Sequence, residues 1–386
     1  MAPVNVLYLI RTWALGGSHT IMLLLMRHLP KEQFHLIPVV YDSHSGGDEK
    51  FVEAAEREAF QVAPVRIPWK TRFAWGKARD CVEDLVQRYN AALIHTHDPH
   101  SNVLIGIGRR RWRCACVASA YGWWERLFPL RIHAHIWAER NLALPQFDRV
   151  ITVSENMKRK ILRGPTAPER IRVIPTGLDP QRLQPRHSRE EVRRVFAIPE
   201  SATVVGTVSR IYVEKGHTYL LQATAQLLPR HPELYVLIVG EGPLRPALEK
   251  EATSLGIADH VRFTGFYDDV PGALRAMDIF ALPSILDEGF PTVVLEAQTM
   301  GLPVVASDTG GTAETMDVPK TGLLVPPKDA AALADALSDL VSDSSRRRTM
   351  GEAAQAWVRS AFTLEQMIAK VCETYEEAIS EYSRRT

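Results

Sequence analysis

Twice along the chain, short runs rich in β-branched and large apolar residues alternate with longer stretches of amphipathic spacing. In the first half these runs occupy residues 4–10, 36–40, 92–95, 117–120, 150–153 and 171–174. In the second they occupy 203–208, 235–239, 261–264, 279–282, 304–306 and 322–325. Strands separated by helices cannot pair as hairpins and must return by crossovers, so the pattern predicts parallel sheets with helices on both faces. The alternation pauses over Asp179-Pro180-Gln181-Arg182-Leu183-Gln184-Pro185 and restarts at Ser188, which has capping-box spacing to Glu191. A chain of 386 residues is too long for one ordinary core. The prediction is an α/β protein of two doubly wound Rossmann-like domains, 1–183 and 184–364, facing each other across a cleft. Thr363 and Gln366, again at capping-box spacing, open a last helix over 365–386.

Charge is nearly balanced, with 46 basic and 45 acidic residues, so the total gives no reason to expect a nucleic-acid partner. Four cysteines, Cys81, Cys114, Cys116 and Cys372, form neither a CxxC pair nor a metal-ligand cluster. That usage fits a reducing compartment and a cytoplasmic location. Cys114 and Cys116 share one face of a strand and read as core filling. Residues 4–10 have no basic stretch before them, unlike a secretory signal, and read as the first strand. No run approaches the roughly 18 apolar residues of a spanning helix.

The residues that carry chemistry cluster where predicted strands end. Ser284-Ile-Leu-Asp-Glu288-Gly-Phe-Pro-Thr-Val-Val-Leu-Glu296 sets two glutamates on either side of a loop-to-helix turn. Pro291 suits a first helical position because its missing N–H has no partner there anyway, which puts Glu288 in the loop and Glu296 on the second turn. The free amides near Thr292 and Val293 would attract a phosphate. Ionised carboxylates accept hydrogen bonds only, which suits ribose and sugar hydroxyls; two solvated surface acids would look the same. After the run 203–208 comes Ser209-Arg210-Ile-Tyr-Val-Glu-Lys215-Gly216, whose planar guanidinium and compact ammonium could neutralise a diphosphate. Gly16-Gly17 follows the first strand and serves a turn or a close ligand approach equally well. His95-Thr96-His97-Asp98-Pro99 ends another strand, with both histidines on one face by period two.

In this order the motifs resemble those of the family 4 retaining glycosyltransferases of GT-B fold. The matching pieces include Gly16-Gly17, His95 to Pro99, Val153-Ser-Glu155, Pro175-Thr-Gly-Leu-Asp179, Arg210 with Lys215-Gly216, Val239-Gly-Glu-Gly-Pro243, Glu288 to Glu296 and Gly310-Gly-Thr-Ala-Glu314. The resemblance implies that Glu288 contacts the transferred sugar, Glu296 grips the ribose, and Arg210 with Lys215 holds the diphosphate. It selects His97 as a hydrogen-bonding partner of the sugar. It places Gly16, Gly17, Gly289, Phe290, Thr292 and Val293 around the donor, with the base near Gly265-Phe266. It also implies that the terminal helix crosses back to the first domain. Two departures stand out: Tyr121-Gly122-Trp123-Trp124 where relatives carry a histidine before glycine, and Thr176 in place of an asparagine.

The expected activity is transfer of a sugar from a UDP- or GDP-linked donor to a hydroxyl of a glycan, lipid-linked glycan or small molecule. No cofactor and no metal are expected, since Asp268-Asp269 reads as a helix cap rather than a metal-binding pair. A GT-B-like sugar-nucleotide epimerase and a non-catalytic nucleotide-sugar binding module are the alternatives. The run Arg109-Arg-Arg-Trp-Arg113 and the aromatic stretch from Trp123 to Trp137 leave two readings open, peripheral contact with the inner face of a membrane or an acceptor pocket.

Overall fold

The computed structural model describes residues 3–11, 17–41, 52–53, 55–57, 60, 63–65, 74–123 and 130–385. The chain divides into two compact units, one of Met1–Thr176 with Leu364–Thr386 and one of Gly177–Thr363.

The first unit holds a parallel sheet of seven strands: β1 (Val4–Arg11), β2 (Phe34–Tyr41), β3 (Ala63–Val65), β4 (Leu93–Thr96), β5 (Ala115–Ala120), β6 (Arg149–Thr152) and β7 (Ile171–Val173). They lie in the order β3-β2-β1-β4-β5-β6-β7. The second unit holds six: β8 (Thr203–Val208), β9 (Leu234–Val239), β10 (Val261–Gly265), β11 (Ile279–Leu282), β12 (Val304–Ser307) and β13 (Gly322–Val325). Their order is β10-β9-β8-β11-β12-β13, again all parallel. Each sheet therefore reverses direction of winding once, between β1 and β4 and between β8 and β11. Such a switch point opens a crevice beyond the carboxyl ends of the strands.

Helices on both faces explain why the strands read as nearly unbroken apolar runs. Every residue of β4, β5, β11 and β12 is buried. Cys114 and Cys116 lie in the core of the first unit as free thiols. The strand β3 escaped the sequence reading because it is three residues long and contains Pro64, tolerated here at the sheet edge.

The division between units falls at Thr176 and Gly177, ahead of the break at 183 expected from the linker. Hydrogen bonds tie the intervening segment to the second unit: Leu178 N–H donates to Phe362 O (3.1 Å), and the Arg186 and His187 amides donate to the Asp269 carboxylate. Asp269 also caps the helix Val270–Arg275. Ser188 and Glu191 form the reciprocal capping box read from their spacing. Pro291 differs from expectation by one position: its ψ of 93° is extended, so it caps the helix Thr292–Thr299 from outside.

The terminal helix, Leu364–Arg385, belongs to the first unit. Its buried face carries Leu364, Met367, Val371, Thr374, Tyr375 and Ala378, the spacing of one helical stripe. Glu377 accepts from Arg149 (2.8 Å) and Arg172 (2.6 Å), and Arg385 pairs with the buried Asp148 (2.9 Å).

A second buried acid lies in the same unit. A π-helical turn, Glu139–Ala143, carries the Glu139 carboxylate wholly inside, where it accepts from Asn102 Nδ2 (2.7 Å) and Trp123 Nε1 (2.8 Å). Burial pushes its pKa up to about 7 against the opposing effect of these two donors. A carboxyl protonated more readily when folded contributes stability in full below its unfolded pKa near 4.5, and that contribution is lost as pH rises to about 7. Wild-type melting temperature should therefore fall relative to that of Glu139→Gln across this window and run parallel to it above. Thermal unfolding of both proteins at a series of pH values checks this.

Candidate functional site

In the second unit, two loops leave the strands that flank the switch point. The first, after β8, runs through Ser209 and Arg210 into a 3-10 turn, Val213–Lys215, and the helix His217–Leu227. The second, after β11, runs from Pro283 to Pro291 and into the helix Thr292–Thr299. Backbone contacts lock them together. Ile285 N–H donates to Glu214 O at 2.9 Å. Gly216 has φ +65°, and a Cβ there would lie 2.0 Å from Pro283 O. Only glycine suits both the left-handed backbone and this approach.

Across this junction Lys215 Nζ donates to Glu288 Oε1 at 2.6 Å, and Ser284 Oγ donates to the same oxygen at 2.5 Å. The ion pair is mostly shielded, with side-chain exposures of 18% and 14%, so solvent screens it less than a surface pair. A third loop braces Glu288 from behind. Gly311 N–H donates to Glu288 O at 2.7 Å, and a Cβ on Gly310 would lie 2.1 Å from that oxygen. His217 is buried, and its Nε2 meets Ser209 Oγ at 3.0 Å. Burial, with Lys215 nearby, lowers its pKa to about 4, so its ring is neutral at physiological pH and adds no charge beside Lys215.

Arg210 stands at the mouth of the same loop, half exposed, 3.5 Å from Glu214 and with its guanidinium 4.9 Å from the Tyr212 ring. Glu296 occupies the second turn of its helix and is half-buried. Burial holds its carboxyl above the usual carboxylate range, opposed by Arg182, and among the described residues no side chain hydrogen-bonds it. Phe266 is 85% exposed, free to offer a ring face at the end of β10. Phe290 instead turns its ring inward, 5.5 Å from Phe362, and Val293 packs on the core. Phe290 is thus buried, while Val293 stays partly exposed. The Thr292 and Val293 amides open a helix whose first N–H groups have no intrahelical acceptor.

In the first unit His97 lies just past β4 and Gly17 opens the helix Gly17–His28 after β1; Gly16 lies outside the described residues. The His95 and His97 rings are 4.0 Å apart, on the same face as their spacing implied. His97 Nδ1 meets the Tyr121 hydroxyl at 2.8 Å. Tyr121 was recognisable from sequence only as a departure from the family pattern, and Ser284 gave no signal beyond lying four residues before Glu288. Among the described residues no three His, Cys, Asp or Glu side chains converge as a metal site.

Of the basic run, Arg109 pairs with the buried Asp148 (2.8 Å) and Arg111 with Asp80 (2.8 Å) and Glu83 (2.9 Å), leaving Arg110 and Arg113 exposed. Residues 124–129 of the aromatic stretch lie outside the described residues.

The family model described as Glycosyltransferase Family 4 matches residues 15–182, and the one described as Glycosyl transferases group 1 matches residues 188–357. The chain belongs to glycosyltransferase family 4. It is 36% identical over 333 residues to the GDP-mannose-dependent alpha-(1-6)-phosphatidylinositol monomannoside mannosyltransferase of Mycolicibacterium smegmatis, covering 82% of this chain and 84% of that protein. Two other curated relatives match over about half their length. The Mycobacterium tuberculosis enzyme of the same description is 35% identical over 54% of this chain and 56% of its own. The D-inositol 3-phosphate glycosyltransferase of Corynebacterium jeikeium is 41% identical over 51% of each. Among solved structures, the Anabaena protein HepE in complex with UDP superposes with a TM-score of 0.84 at 22% identity, covering 97% of this chain and 99% of that one. A glycosyltransferase from Rickettsia africae gives 0.83 at 20% identity, with coverage of 98% and 99%. These likenesses show the GT-B fold.

Replacing Gly216 by alanine should destabilise the protein by more than about 1 kcal/mol, from the positive φ together with the contact to Pro283 O. Chemical denaturation measures the loss.

Proposed function

We propose that the protein transfers a sugar with retention from a nucleoside-diphosphate sugar to an acceptor hydroxyl, without a metal. The observation that carries this reading is the shielded Lys215–Glu288 pair, braced by Ser284, at the switch point of a nucleotide-binding type of sheet. Lys215 has three ammonium protons and can keep Glu288 while giving another to a phosphate oxygen. Arg210 and the amides of Thr292 and Val293 meet the rest of the diphosphate. Donors so placed are each worth about 3 kcal/mol where charge builds in the transition state. As the bond from the anomeric carbon to the phosphate oxygen breaks, the acceptor oxygen bonds the same face of that carbon and its proton passes to the departing phosphate. The leaving group thus acts as the base, and the protein's task is to orient and to neutralise.

Glu288 orients the sugar hydroxyls, His97 adds a further hydrogen bond to that sugar, and Glu296 grips the ribose. The half-buried Glu296 carboxylate, which no side chain among the described residues hydrogen-bonds, supports its part, because a diol would supply donors that the protein does not. The exposed Phe266 supports a base at the end of β10. The names of the mycobacterial relatives specify GDP-mannose and a phosphatidylinositol mannoside, which favours a GDP-linked donor and a lipid-linked acceptor. Among the described residues no helix is long and apolar enough to cross a membrane. The exposed Ile107, Trp137 and Leu142 of the first unit support peripheral contact with a membrane surface carrying such an acceptor, on its cytoplasmic side.

A panel of nucleotide sugars, scored by nucleotide release with and without acceptor, tests the reading; conversion of the donor to an epimer with no transfer would overturn it. Glu296→Ala should weaken donor binding by roughly 1.5–3 kcal/mol in calorimetry. Lys215→Ala should depress turnover far more than melting temperature, and a chelator should leave turnover unchanged.

A further inference from the structure

The two oxygens of the Glu288 carboxylate are not equivalent. The Ser284 hydroxyl and the Lys215 ammonium both donate to Oε1, at 2.5 Å and 2.6 Å. Among the described residues no group hydrogen-bonds Oε2. Ser284 is fully buried, whereas the Glu288 side chain keeps 14% of its surface open. The backbone between the two residues is held from outside the loop. Ile285 N–H donates to Glu214 O at 2.9 Å, and Gly311 N–H donates to Glu288 O at 2.7 Å.

An ionised carboxylate has about four acceptor positions, two on each oxygen. Lys215 and Ser284 take both positions of Oε1 and leave both of Oε2 for a ligand. The lysine alone would not impose this division. The last torsion of a glutamate is broad and roughly two-fold, and an ammonium rides on a flexible four-carbon stem. A carboxylate held by Lys215 alone could turn over and exchange its oxygens. Ser284 ends that equivalence, because its side chain is short, enclosed and carried on pinned backbone. The ammonium has three protons and gives one to Glu288, so two remain for phosphate oxygens however the carboxylate is turned. Loss of the serine should therefore fall on the sugar half of a donor and spare the nucleotide half.

We propose that Ser284 is the positioning residue of the sugar site: by filling Oε1 together with Lys215, it presents Oε2 of Glu288 as the oxygen that accepts from the sugar's hydroxyls. The proposal rests on the reading that Glu288 meets the transferred sugar. It goes further in assigning the contact to one oxygen and its orientation to a buried hydroxyl four residues upstream.

Calorimetry with GDP and GDP-mannose, and with UDP and UDP-glucose, separates the two halves of the donor. In Ser284→Ala the affinity for the nucleoside diphosphate should stay within about twofold of wild type. The affinity for the matching nucleotide sugar should fall about tenfold, the scale of one hydrogen bond to a charged group, and kcat should fall with it. A general loosening of the loop would weaken both ligands alike. Ser284→Cys, close in size and a weak donor, should behave as the alanine variant and serves if that variant does not fold. Equal losses for both ligands, or wild-type affinities and kcat, would overturn the proposal. Glu288→Ala tells this failure from that of the underlying reading. A loss of nucleotide-sugar affinity there, with none in Ser284→Ala, would keep Glu288 on the sugar and remove Ser284 alone. No loss in either variant, or a wild-type protein that binds none of the four ligands, would remove both.

Discussion

A parallel sheet forces every strand to be followed by a crossover, and this one constraint arranges the rest of the molecule. All strand-to-helix turns emerge on the same edge of their sheet, and where the winding reverses two neighbouring turns diverge. The turns after β8 and β11 are such neighbours, and they carry Lys215 and Glu288. The turn after β4 carries His97 at the equivalent place in the other unit. Lys215 and Glu288, 73 positions apart in sequence, meet because the topology sets their two turns side by side.

Much of the fold was legible because strands buried on both faces read as unbroken apolar runs. Helix boundaries were legible where side chains cap them, as Ser188 with Glu191 and Asp269 do. The strand β3 was not, since three residues with a proline generate no period. The candidate site was legible as residue types at strand ends, with the family resemblance supplying the roles. Its internal contacts were not. The Lys215–Glu288 pair joins positions 73 apart, and the bond from His95 to Tyr375 spans 280. Neither separation leaves a local pattern. Nor does a sequence tell that Phe290 turns its ring toward Phe362 rather than outward.

Each unit encloses paired polar groups within its apolar layers. In the second, an ion pair sits close to the surface with a serine to complete it, an arrangement that a charged ligand can enter by exchanging hydrogen bonds. In the first, a line of uncharged groups from Tyr8 through Tyr375 and His95 to Ser119 is fully enclosed, while the buried Asp148 is paired with Arg109 and Arg385. Such a network admits no partial version, because removing one member strands its neighbours. The Glu139, Asn102 and Trp123 cluster follows the same rule, with a carboxyl whose charge is suppressed by burial.

The terminal helix gives the order of synthesis a structural meaning. Tyr375, which lies in the first unit's core and bonds the Tyr8 hydroxyl, is made only after the whole of the second unit has been synthesised. Domains commonly fold as they are made, from the N-terminus onward. The first unit therefore cannot complete its core until the segment after Thr363 is made, whereas the second is continuous from Gly177 to Thr363. The half that begins the chain is thus the last to close.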